Sequence, residues 1–242
     1  MNALNAVLLV VLPYVATIVC VVGVAYRYRR RGFTVSSLSS EFLERGRLFW
    51  GSIPFHIGIL AVLLVHFVVI VFPGVVVAWS RDPARLLILE FAAYAFGVSV
   101  LIGLVALLYR RLTSARIRAV TTPTDVVVGL LLVIQVGLGL WLALRYRWGY
   151  SWFAAVVVPY LWSLARLAPE TGAVFALPLL IKLHIVGAFT IVLMVPFSRL
   201  AHFVVAPLHY LVRPYQQVIW NWDRKAIRDP AGPWTRIRPM SN

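Results

Sequence analysis

Residues 53 to 71 read IPFHIGILAVLLVHFVVIV, nineteen positions that hold two histidines and no Asp, Glu, Lys or Arg. An apolar run of roughly 18 residues or more has the length a helix needs to cross a bilayer. Four further apolar runs accompany it, at about Leu4–Ala25, Leu86–Leu108, Asp125–Leu144 and Leu179–Val205. The chain as a whole agrees. Of its 242 residues 62% are hydrophobic and only 13% charged, and its mean hydropathy is +0.88. A soluble domain of this length needs more polar surface to cover its core. The expected fold is all-α, an integral membrane bundle of five transmembrane helices.

Charge placement orients the bundle. The net charge of +15 comes from basic residues gathered between apolar runs. Arg27, Arg29, Arg30, Arg31, Arg45 and Arg47 fill the first connection, and Arg110, Arg111, Arg116 and Arg118 the third. The tail adds Arg213, Arg224, Lys225, Arg228, Arg236 and Arg238. The second connection has only Arg81 and Arg85, set against Asp82, and the N-terminal flank has no basic residue. Basic loops stay on the cytoplasmic side, so the N-terminus is expected outside and the C-terminus in the cytoplasm. With no basic soluble domain, nucleic acid is not an expected partner; acidic lipid headgroups and a partner protein are.

Two segments need separate treatment. Trp152 to Leu164 is apolar but short and contains Pro159. Its length suits an interfacial or re-entrant piece, and spanning would carry the basic tail outside. Residues 1–209 then form the transmembrane domain, and 210–242 a cytoplasmic tail that lies on a partner protein or on the membrane surface. At the start of the fourth run, Thr124 is the expected cap and Asp125 suits a helix N-terminus. The single cysteine, Cys20, lies inside the first run, which excludes disulfides and cysteine-held zinc or iron–sulfur clusters within this chain.

Four of the five histidines lie in apolar runs: His56 and His66 on the second, His184 and His202 on the fifth. Ionisable groups at membrane depth are costly and usually functional. The two runs are antiparallel, so His56 meets the level of His202, near the expected cytoplasmic face, and His66 that of His184. On straight helices His56 and His66 are separated by about 15 Å along the axis and His184 and His202 by about 27 Å, a misfit that tilt of the fifth run or a kink at Pro196 would relieve. The 18 residues between His184 and His202 would put both on one face. Two imidazoles with no carboxylate beside them suit the axial positions of a haem iron, whereas zinc, copper or non-haem iron would want a third ligand. Two levels imply two haems. The rival reading, a transporter with histidine proton relays, lacks the intramembrane Asp or Glu that relays usually include.

The stretch Phe55-His56-Ile57-Gly58-Ile59-Leu60 with His66-Phe67 resembles the gamma subunit of respiratory nitrate reductase. So do Thr121-Thr122, Leu132-Val133-Ile134-Gln135, Leu183-His184, Pro196-Phe197-Ser198-Arg199-Leu200 before His202, and Tyr210-Leu211, Arg213 and Tyr215-Gln216. The similarity runs over about residues 5 to 217. It implies a dihaem cytochrome b in a prokaryotic cell membrane that oxidises quinol near the outer face. It also implies iron–sulfur and molybdenum-containing partner subunits that take the electrons. His66 and His184 would hold the outer haem iron, and His56 and His202 the inner one. Arg85 stands roughly where the family places a lysine near its quinol site, and is the quinol-site candidate. The resemblance leaves open a related complex that handles sulfur compounds or heterodisulfides.

Among other residues, Arg199 is a candidate partner for a haem propionate, with Arg111 and Arg116 more simply explained by topology. Gln135 fits a cross-helix hydrogen bond or packing. Gly58 and Gly187 suit either a close porphyrin or close helices. His209 reads as interfacial.

Overall fold

A computed structural model describes residues 3–31, 46–146 and 152–204. His209, the boundary expected after residue 209 and the tail lie outside the described residues. Among the described residues, five helices are long and apolar enough to cross a membrane: Ala3–Arg30, Leu48–Val71, Pro83–Thr113, Pro123–Arg145 and Leu179–Phe197. Among the described residues there is no β-strand. The chain is a multi-pass membrane protein.

The spans outrun their apolar cores because polar residues finish their ends. Asp82 starts the third, its carboxylate accepting from the amides of Ala84 at 2.8 Å and Arg85 at 3.2 Å. Arg110 and Arg111 end it, where cations suit the helix C-terminus. The fourth span is capped by Thr122, not by Thr124 as expected. Thr122 Oγ1 accepts from the Asp125 amide at 3.3 Å, and Asp125 Oδ2 accepts from the Thr122 amide at 3.0 Å. This reciprocal box requires the hydroxyl three residues before the acid, and Pro123 fits the first helical position.

Adjacent spans form a chain of contacts, second on third, third on fourth, fourth on fifth and fifth on first. The second and third approach most closely. A Cβ on Gly103 would stand 2.6 Å from the Phe55 amide nitrogen, and one on Gly58 2.7 Å from the Phe96 carbonyl oxygen. Gly58 therefore serves helix packing against the third span. No comparable packing joins the second span to the fifth, so the two histidine-bearing helices are held apart by their neighbours.

The fifth span breaks between its histidines. Regular helix stops at Met194, a 3-10 turn covers Val195–Phe197, and a separate short helix, Ala201–Val204, carries His202. Pro196 has no amide to continue the ladder. His184 and His202 therefore do not share one continuous helix, and the straight-helix separation of about 27 Å does not apply. The first span braces the break. Arg27 donates to the carbonyls of Pro196 at 3.1 Å and Ser198 at 2.7 Å, and a Cβ on Gly23 would meet Pro196 at 2.7 Å. Arg27 thus has a structural role beside the topological one expected from its charge.

The short apolar segment Phe153–Ala165 is too short to span. One of its faces is exposed, at Ala155, Pro159 and Trp162, and the other is buried. Tyr160 is 2% exposed and Ser163 0%, and both sit in the interior with Ala154, Val157, Val158 and Leu164. The Tyr160 hydroxyl donates to the Leu9 carbonyl, Tyr14 donates to the Leu164 carbonyl at 3.1 Å, and Trp162 Nε1 donates to the Ile70 carbonyl at 2.9 Å. The segment is a half-buried plug that ties the first and second spans together. It widens to a π turn over Phe153–Val157 just before Pro159, as the first span does over Val7–Val11 before Pro13.

Candidate haem-ligand levels

Phe153 lies between the second and fifth spans, beside His66 and against the buried core of Ile181 and Ile185 that flanks His184. The plug segment closes this level, with the Phe153 ring edge-on to His66 at 5.8 Å between centroids. Leu142, Val157, Ile181 and Ile185, all buried, belong to the apolar core alongside. His56 and His202 occupy more open positions: His56 is exposed on the second span and His202 half-buried beyond the break. No direct contact joins these two.

Hydrogen bonding reveals which ring nitrogen each histidine leaves free. A carbonyl oxygen can only accept, so a ring nitrogen beside one must carry the proton. His56 Nδ1 donates to the Ser52 carbonyl at 2.7 Å, with Ser52 Oγ at 3.1 Å. His66 Nδ1 donates to the Val62 carbonyl at 2.8 Å, and His202 Nδ1 to the Arg199 carbonyl at 2.5 Å. In the neutral ring each of these Nε2 atoms then keeps its lone pair, the state that binds a metal. The signal was present in the sequence, since residues three or four positions back lie beneath a helical side chain.

His184 is arranged differently. Its Nδ1 is buried without a hydrogen-bond partner, and its Nε2 lies 3.4 Å from Gln135 Nε2 on the fourth span. Gln135 Nε2 also donates to the His184 carbonyl at 3.0 Å. Gly187 packs against Gln135 rather than standing open, as a Cβ there would collide with Gln135 Oε1.

The donor set fits haem. Imidazoles come one from each of two helices that do not pack on one another, and among the described residues no three His, Cys, Asp or Glu side chains gather into a metal-holding group. Imidazoles from two helices, three of them with Nε2 free, suit the axial positions of a haem iron.

Charged candidates fall at the edges. Arg85 is exposed in the first turn of the third span. Arg199 is drawn to Asp125, its Nε 2.8 Å from Oδ1, while Arg111 Nη1 lies 2.9 Å from Oδ2. Arg199 also donates to the Val120 carbonyl at 3.0 Å. The Asp125 side chain is 7% exposed. Its role as an ionic anchor was not legible from sequence, where it read as a helix-start residue.

The match to the family model described as nitrate reductase gamma subunit covers residues 5–221. The chain is 35% identical over 222 residues to the respiratory nitrate reductase 1 gamma chain of Escherichia coli, covering 90% of this chain and 98% of that one. It is 32% identical over 211 residues to the nitrate reductase gamma chain of Bacillus subtilis, covering 85% and 93%. A nitrate reductase-like protein, NarX, of Mycobacterium tuberculosis is 31% identical over 225 residues, which cover 85% of this chain but 32% of that longer protein. With matches over nearly the full length of two gamma chains, this protein belongs to the nitrate reductase gamma subunit family.

Proposed function

We propose that the chain is the cytochrome b membrane subunit of a respiratory nitrate reductase, oxidising quinol near the outer face and delivering the electrons to an iron–sulfur partner subunit. A molybdenum-containing subunit would complete the enzyme. The observation that carries this reading is the set of free Nε2 atoms on His56, His66 and His202, carried on helices held apart by their neighbours. His66 and His184 would hold one b haem and His56 and His202 a second. When bound, haem supplies one-electron redox chemistry, with a potential set by ligands and surroundings.

The protein's own groups do the rest. The backbone carbonyls of Ser52, Val62 and Arg199 hold three imidazoles in the tautomer that leaves Nε2 unprotonated. The plug segment and its Phe153 ring would cover His66 with apolar side chains. Arg85, exposed in the first turn of the third span, would meet a quinol oxygen at the membrane surface. The basic connections and tail keep the N-terminus outside, so that quinol protons leave on the outer side while electrons move inward.

A dithionite-reduced minus oxidised spectrum of the purified complex, with haem counted per gamma chain, tests the reading. Two b-type haems per chain are expected. A featureless spectrum from folded protein expressed with ample haem would overturn it.

A further inference from the structure

Three of the four ligand imidazoles donate from Nδ1 to a carbonyl of their own segment, three or four residues back. His184 does not, and its Nδ1 is buried and unmet. Gln135 Oε1 is also buried and unmet. A ring N–H donor and an amide acceptor are therefore both left without partners at one seam between the fourth and fifth spans. Their side chains already touch, with Gln135 Nε2 3.4 Å from His184 Nε2 and 3.0 Å from the His184 carbonyl. An unmet buried polar group is costly, so a ring rotamer that turned Nδ1 to the Gln135 amide oxygen would relieve both and release Nε2.

The packing around the pair leaves no room for larger neighbours. A Cβ on Gly139 would stand 3.1 Å from His184 Cε1, and one on Gly187 would strike Gln135 Oε1. Larger residues at either position would push the imidazole and the amide apart. Two glycines on facing helices thus reserve this contact.

We propose that Gln135 is the positioning residue for His184: its Oε1 accepts the His184 Nδ1–H and so fixes the tautomer that offers Nε2 to the haem iron. The inference rests on the reading of His184 as a haem ligand. An acceptor on the far nitrogen makes a ligand imidazole more basic and favours the oxidised metal. One haem is then tuned by a side chain of a neighbouring span, and the other by backbone carbonyls alone.

The test uses the intact complex with Gln135→Leu and Gln135→Glu, read by potentiometric titration of the haem absorbance and by EPR of the oxidised protein. Gln135→Leu removes the acceptor and should raise the midpoint potential of one haem. Gln135→Glu supplies a stronger acceptor and should lower that same potential. One low-spin EPR signal should move in each variant while the second stays in place. Potentials that are unchanged in both variants, or that move in the same direction, would overturn the assignment to Gln135. Should Gln135→Leu fail to accumulate, Gln135→Glu alone decides by whether the potential falls. Absence of haem from the wild-type complex would instead sink the haem reading itself.

Discussion

The two histidine levels are built from the same side chain in opposite ways. Around His66 and His184 the material is largely apolar: the Phe153 ring, the inner face of the plug and a core that includes Ile181 and Ile185. A polar neighbour, Gln135, comes from another span. Around His202 the chain is broken and is held by charge, through Arg27 on the carbonyls of Pro196 and Ser198 and through Asp125 on Arg199. An apolar enclosure holds an imidazole by exclusion of water, whereas an ionic clamp holds it by fixing the backbone that carries it. The first suits a dry site inside the bilayer, and the second a site at the end of the bundle, where a partner subunit can approach.

Removing ligands should separate the levels most sharply. His66→Ala and His202→Ala are each expected to halve the haem content and to remove different EPR signals. If either variant lost both haems, or both lost the same signal, the two levels would not be independent sites.

Asp125→Asn sharpens the comparison on the ionic side. Arg199 supplies the carbonyl that accepts from His202 and is itself paired with Asp125. Loss of such outer-shell support commonly costs about 10–100-fold in metal affinity or activity. Haem retention at the His56–His202 level should fall within that range, with the other level unaffected and with Asp125→Glu restoring part of the loss. Haem titration into the depleted complex measures it. Equal loss at both levels would break the contrast.

Trp162→Phe probes the apolar side and should have the smallest effect. It removes one hydrogen bond, from Nε1 to the Ile70 carbonyl, and keeps the ring's packing. A destabilisation of about 1 kcal/mol is expected, seen as a modestly lower melting temperature in detergent. The EPR signal assigned to His66 and His184 should broaden, and the other should not change.

Much of this was legible before folding. Five spans follow from five apolar runs because backbone groups in lipid must be satisfied within each segment, whatever the neighbours are. The histidines stood out for a similar reason, as ionisable residues in runs otherwise almost free of them. The cap of the fourth span was readable too, from Thr122 three residues before Asp125, although Thr124 lay nearer to the eye.

Sequence by itself therefore determined the spans and the four imidazoles, because each is read within a single apolar run. Only the tertiary structure decided that the plug packs one face on the first and second spans, that Arg27 braces the broken fifth span, that Asp125 holds Arg199 and that Gln135 meets His184. These contacts join residues on different spans, and the apolar pattern of a lipid-facing helix carries little record of which face meets which neighbour.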